Sequence, residues 1–265
     1  MPRVGAVIVL MTILAALAGP WVVPYDPADQ VLADRLARPS MRHPLGLDEL
    51  GRDVLSRVLA GARISLLVGL FVVAASAGIG TILGSVAGYY GGWIDELISR
   101  IIDILMAFPG ILLAIALVAV LGPSLTNVVV ALASIGWVGY ARLVRGQVLR
   151  AREFEFVQAA RALGAPVTRV IGLHVLPTVL AAVVVQASLG MAGAIIAEAS
   201  LSFLGLGVQP PTASWGTMLA GGRAHLLDAP HLTILPGVAI ALLVLGFNFL
   251  GDGLRDALDP QRPHH

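Results

Sequence analysis

Residues 104–141 read ILMAFPGILLAIALVAVLGPSLTNVVVALASIGWVGYA, 38 positions without one Asp, Glu, Arg or Lys. As a single helix rising ~1.5 Å per residue the stretch would be about 57 Å long, against a hydrocarbon core of about 30 Å. It therefore holds two membrane spans. Leu121-Gly122-Pro123-Ser124 marks the turn between them, because Pro breaks a helix interior and Gly-Pro opens a loop.

Working outward, four more uncharged runs reach span length: Val4 to Tyr25, Ile64 to Ile94, Val170 to Ala197 and Ala229 to Gly251. The expected architecture is an all-α membrane protein with six transmembrane helices. Residues 1–25 form an N-terminal span, 26–62 a loop with an amphipathic segment, and 63–252 a core with spans at about 64–88, 101–121, 126–144, 178–198 and 231–251. A polar segment, 145–177, and a loop, 199–230, separate the later spans, and 253–265 form a tail. Ala199 to Gly222 is also uncharged, but Gly205, Gly207, Pro210, Pro211, Gly216, Gly221 and Gly222 would leave backbone groups unpaired in hydrocarbon. That run is expected to be irregular, at the membrane surface or lining a cavity.

Composition agrees and excludes much chemistry. Hydrophobic residues make up 57% and charged residues 12%, where soluble proteins carry roughly a quarter charged; the mean hydropathy is +0.88. With no Cys there is no disulfide, thiolate nucleophile or Cys-ligated metal, and with no Lys all 17 basic residues are Arg. A P-loop needs its Lys to reach the terminal phosphates, so this chain does not bind ATP in one. Neither Gly-x-Ser-x-Gly nor His-Glu-x-x-His occurs, which argues against a hydrolase. The net charge of +1 gives no reason to expect a nucleic-acid partner.

With both termini cytoplasmic, the inner segments hold 10 of the 17 Arg, and six of the other seven, Arg35 to Arg63, fall in one long loop. Arg63, directly at the start of a span, runs against this orientation. Arg3, the apolar stretch and Ala16-Leu17-Ala18 resemble a cleavable secretory signal, but the run continues to Tyr25, which favours a retained anchor.

Arg142 to Arg169 is the densest polar stretch, and Phe156 to Pro166 within it reads as a short helix stopped at Gly164, with Pro166 two residues on. Ala159, Ala160 and Ala162 are small enough for another surface to approach the backbone, and Arg161 offers a fork of donors. By its residues alone the segment is either a docking helix or a solvated connector.

Gln158-Ala159-Ala160, Gly164 and Leu176-Pro177 at this spacing resemble the EAA loop of permease subunits of ABC importers. Two positions depart from the pattern: Gln158 where Glu is common and His174 where Ile is common. Further stretches resemble the dipeptide and oligopeptide branch, and its C-type permease with one span ahead of the core: His43-Pro44-Leu45-Gly46, Leu50 to Arg57, Gly61 to Leu66, Ala107-Phe108-Pro109, Glu198 to Gly207, Ser214 to Leu219 and Gly251 to Asp256. The resemblance implies a type I ABC importer permease fold in a bacterial or archaeal cytoplasmic membrane, with both termini cytoplasmic. It implies a homologous second permease, two ABC ATPase subunits that use ATP and Mg, and an extracytoplasmic substrate-binding protein. This chain would bind no cofactor or metal itself and would contribute half of a path for di- and oligopeptides, or for nickel chelates or glutathione as in close relatives. Gln158, Ala159, Ala160, Arg161, Leu163, Gly164 and Pro177 would then form the coupling surface for the ATPase.

Other residues carry two readings each. Glu198 is either an ion-coupling acid of a secondary transporter, the competing function, with Asp103 as a second candidate, or a structural group beneath the Ser202 to Gly207 loop. Phe203, Gly205, Trp215 and Gly216 would form an outer gate or structural loop, where Trp215 with Pro210 and Pro211 shapes the gate or meets the binding protein, or Trp215 serves as an interfacial anchor. Gln186 and Asn248 would line the path or hydrogen-bond between helices. Asp95, Glu96, Arg100 and Asp103 fall at near-helical spacing at the start of the third span, with Glu96 and Arg100 an i,i+4 pair.

Overall fold

Uncharged runs of this length leave the backbone no partner but itself, and the chain is helical accordingly. The computed structural model describes residues 1–258; among these there is no strand, only an isolated bridge between Leu47 and Asp53. The helices are α1 (Pro2–Val22), α2 (Val54–Tyr90), α3 (Gly92–Met106), α4 (Gly110–Leu121), α5 (Leu125–Ala151), α6 (Glu155–Ala162), α7 (Val167–Arg169), α8 (Leu176–Phe203), α9 (Trp215–Gly222) and α10 (His231–Leu258). A π-helical stretch, Val170–Val175, joins α7 to α8, so that Val167–Phe203 runs as one rod. Five helices are long and apolar enough to cross a membrane, and α3 with α4 gives a sixth crossing if the bent pair is one span.

Helix direction sorts the molecule into two ends. Gly253 of α10 lies against Pro2 of α1, so both helices meet at the end that also carries α6. The segment before α2, the 204–214 loop and α9 occupy the opposite end, where Trp215 meets α2 near Val58.

The expected third span, 101–121, is not one helix. α3 and α4 meet at 87°, because Pro109 lacks the N–H to continue α3 and disfavours helical geometry at Phe108. The turn expected at Leu121 to Ser124 is present: α4 ends at Leu121, Gly122 adopts φ +90°, and Ser124 Oγ accepts from Asn127 N at 3.1 Å to start α5.

α2 begins ten residues before the expected span at 64, within what had been assigned to the 26–62 loop. Asp53 caps it, accepting from Ser56 N and Ser56 Oγ at 2.8 Å each, and also meets His43 Nδ1 at 2.9 Å. Arg52, just before the helix, and Arg57, in its first turn, do not delay its start because both are buried against Asp48. Arg52 Nε lies 2.6 Å from Asp48 Oδ2, Arg57 Nε lies 3.3 Å from the same oxygen, and both Arg are nearly fully buried. Helix likewise replaces part of the expected 145–177 segment, where α5 runs to Ala151. It also replaces part of the 199–230 loop and part of the 253–265 tail, where α10 runs to Leu258. The final seven positions, including His264 and His265, lie outside the described residues.

The closest helix pair is α2 on α5, and a glycine every fourth residue makes it possible. A Cβ on Gly80 would stand 2.5 Å from Tyr140 Cβ, one on Gly84 2.5 Å from Ala141 O, and one on Gly88 2.9 Å from Arg145 O. Residues four apart share a helix face, so Gly80, Gly84 and Gly88 form a flat strip on which the backbone of α5 rests, the packing by which membrane helices associate. At the α6 end Asp95 of α3 pairs with Arg145 of α5, with Oδ2 2.7 Å from Nη2, and Arg152 donates to Gly88 O at 3.2 Å.

Candidate functional site

α6 stands between two long rods, held by one buried side chain. Val157 is fully buried, Ala160 packs on the core beside it, and α6 ends as its sequence says it must. Gly164 N donates to Arg161 O at 2.9 Å and Ala165 N to Ala160 O at 3.1 Å, a Schellman stop that needs the left-handed conformation Gly164 adopts at φ +80°. The opposite face is open: Gln158, Ala159, Arg161 and Leu163 are exposed, Leu163 at 88%, and at the helix start Phe154 and Phe156 are 41% and 49% exposed. An apolar residue this exposed at a helix end has no packing partner among the described residues.

The Arg161 guanidinium lies over the Tyr89 ring, 5.9 Å from its centre. α6 differs from the sequence reading in one place. Pro177 sits in the first turn of α8, beyond the π-helical stretch, and is not on α6. Gln158 Nε2 donates to Glu153 O at 3.2 Å, closing the turn between α5 and α6.

Between the two ends α2, α4, α5 and α8 enclose a cleft of about 280 Å³. Its walls are aliphatic, among them Val72, Ile111 and Ile135, interrupted by Gly110, Gly136, Gly190 and Gly193, with Ser76, Tyr140 and Gln186 as its polar groups. Tyr140 OH donates to Gln186 O at 3.4 Å. Of the two residues expected to line a path, Gln186 is here; Asn248, half-buried on α10, is not among the lining residues.

At the α9 end Glu198 and Trp215 are the centre of a buried cluster. The Glu198 carboxylate, fully buried, accepts from Ser202 Oγ at 2.7 Å and from Ser65 Oγ of α2 at 3.3 Å, so it joins α8 to α2. Trp215 is 2% exposed, its Nε1 donating to Val58 O at 2.9 Å, with the indole over Gly61. It is therefore neither an interfacial anchor nor a surface for a partner. Gly216 allows α9 to rest on Ala199, whose O would be 2.6 Å from an added Cβ. Gly205 stops α8 as Gly164 stops α6, at φ +79° with Leu206 N donating to Leu201 O at 2.9 Å. Phe203 stands apart, half-exposed beneath the Arg223 guanidinium at 5.7 Å.

Sequence reasoning missed Tyr140, Ser76, Ser65 and the Asp95 to Arg145 bridge. The glycine strip that brings Tyr140 to the cleft was visible as a four-residue period; the long-range ion pair carried no local signal. The Glu96 to Arg100 pair forms at 2.9 Å on the exposed face of α3.

The chain matches the family model "Binding-protein-dependent transport system inner membrane component" over residues 80–262 and the "N-terminal TM domain of oligopeptide transport permease C" over residues 1–39. It is 50% identical to the dipeptide transport system permease protein DppC of Alkalihalophilus pseudofirmus, over 97% of this chain and 85% of that one. It is equally 50% identical to the glutathione transport system permease protein GsiD of Escherichia coli, over 98% and 86%. The fold is shared with a chain of the MetNI methionine ABC transporter in inward-facing conformations, at a TM-score of 0.54 and 19% identity over 78% of this chain and 96% of that one. The protein is thus a multi-pass inner-membrane transport subunit, not itself an enzyme, and belongs to the binding-protein-dependent transport system inner membrane component family, the permeases of ABC importers, in the dipeptide and oligopeptide branch.

Proposed function

We propose that this chain forms half of the translocation path for di- and oligopeptides, and that a partner ATPase drives it through α6. The observation that carries the reading is α6 itself: a short helix anchored by Val157, stopped by Gly164 and presenting an open Leu163 at one end and a half-exposed pair of Phe rings, 5.6 Å apart, at the other. In this reading the α6 end, with the N-terminus of α1 and the C-terminus of α10, is cytoplasmic. Two ATPase subunits bind ATP and Mg, which a chain without Lys does not hold in a P-loop of its own. A homologous second permease supplies the other half of the path, and an extracytoplasmic binding protein docks at the α9 end. Closure of the ATPases displaces α6, and the Val167–Phe203 rod carries the displacement past Gln186 to the Glu198 cluster.

Relatives named for dipeptide and for glutathione transport, at equal identity, support a short peptide as substrate. The cleft agrees in chemistry, since glycine and aliphatic walls with two or three polar groups suit a chain of peptide units better than a bare ion. Glutathione is the second reading, on the GsiD match alone. Membership of the importer family favours ATP over ion coupling, and Glu198 is bonded to serines rather than placed in the cleft.

The chain has no Cys, so a single introduced thiol is a unique probe. In the assembled complex, Leu163→Cys alkylated with a benzophenone maleimide is expected to photo-cross-link to an ATPase subunit, the ketone inserting into a C–H bond of the partner and so needing no thiol there. Leu227→Cys, 96% exposed at the other end, is expected to react with a membrane-impermeant maleimide from outside intact cells. Cross-linking of the ATPase from position 227 and not from 163 would refute both the coupling role and the orientation.

A further inference from the structure

We propose that the notch where α1 ends against the start of α2 binds one phospholipid with an ethanolamine headgroup. The pocket measures about 640 Å³ and lies between the last turns of α1, residues 23–28, α2 from Leu59 to Ile64 and the 211–213 turn. On its α1 side are Ala16 and Gly19, small residues that keep the wall open, with Ala60 facing them from α2. The rest of α1 is made for lipid: Leu14 and Leu17 are 50% and 64% exposed, and Trp21 in the last turn is 84% exposed. An exposed Trp at a span end marks the headgroup level, and the pocket sits at that level.

Two opposite charges line the same pocket. Arg63 is exposed and makes no ion pair or hydrogen bond among the described residues. Asp26, also exposed, spends one oxygen on Ala28 N at 2.8 Å and leaves the other without a partner there. A guanidinium grips a phosphate through two parallel hydrogen bonds, and a carboxylate accepts from a primary ammonium. An ethanolamine headgroup carries both groups a few atoms apart. A glycerol headgroup would satisfy Arg63 and offer Asp26 no cation; a choline headgroup would bring a cation with no N–H to donate. From the bound phosphate an acyl chain can run down the wall of Ala16, Gly19 and Ala60 into the membrane. The site also accounts for an Arg at a span end on the side that carries fewer of them, since a lipid phosphate neutralises it. The inference rests on α1 and α2 crossing the membrane and not on the substrate or the orientation.

Native mass spectrometry tests it on the full chain in its complex, extracted in the presence of equal amounts of phosphatidylethanolamine, phosphatidylglycerol and phosphatidylcholine. The wild type is expected to retain one phosphatidylethanolamine in preference to the others. Arg63→Gln should lower retention of the ethanolamine and glycerol lipids about tenfold, the loss of one charged contact. Asp26→Asn should keep a bound lipid but abolish the preference for ethanolamine over glycerol. Both side chains are exposed, so the variants should fold, which circular dichroism checks. Equal retention of the three lipids by the wild type, a preference for phosphatidylglycerol, or unchanged phosphatidylethanolamine in Arg63→Gln would overturn the proposal.

Discussion

Gly164 has nothing within 4 Å of where a Cβ would stand, so a side chain there costs backbone strain and not a clash. At φ +80° a β-branched residue is strained by roughly 1–3 kcal/mol, enough to undo a helix stop, whereas Asn tolerates the left-handed region. Gly164→Val is expected to cut ATP-coupled uptake at least about tenfold and to uncouple hydrolysis from it, while Gly164→Asn keeps most of both, measured side by side in proteoliposomes. Survival of full coupling in the Val variant would remove α6 from the mechanism. Glu198 calls for the opposite comparison. Its two serine donors can be met by an amide, so Glu198→Gln should transport near the wild-type rate. Glu198→Ala leaves the Ser65 and Ser202 hydroxyls without their acceptor over a cavity and should lose about 2–4 kcal/mol of stability, seen as a lower melting temperature in detergent. A Gln variant that folds and does not transport would revive the ion-coupling acid.

At the scale of elements, the α2 and α5 contact depends on three glycines, and its neighbours supply the control. Gly84→Ala puts a methyl carbon 2.5 Å from Ala141 O and 2.9 Å from Val144 Cβ, so the helices must part, at about 1–3 kcal/mol. Gly78, on the same helix with no atom within 4 Å, should accept Ala at no cost or gain up to about 1 kcal/mol from helix propensity. Thermal melts of the two variants should therefore shift in opposite directions or differ by several degrees, and equal shifts would deny the strip its role. Elements differ in how far they could be read from sequence. α6 was legible because its stop signal is local: Gly164 and Pro166 say where it ends. α3 and α4 were read as one span because the absence of charge hides a break, although Pro109 announced it. α2 begins earlier than its uncharged run because Asp48 neutralises Arg52 and Arg57 in a buried network that composition cannot show.

For the whole molecule, hydropathy alone gave the class, and motif order gave the family, since both are written in contiguous stretches. What contiguous stretches do not record is which faces meet: Tyr140 with Gln186, Glu198 with Ser65, Trp215 with Val58. The weak Arg bias has the same origin. Arg52, just before α2, and Arg57, in its first turn, are structural ion-pair members, so counting them as topology signals dilutes the rule. In the function proposed, this chain is the passive, membrane half of a machine whose energy enters at α6. The most direct test is uptake of a labelled dipeptide by proteoliposomes containing the purified complex with its binding protein. Uptake that requires ATP on the α6 side, persists when ion gradients are collapsed and is lost without the binding protein is the predicted result. Uptake driven by an ion gradient and indifferent to ATP would contradict the account.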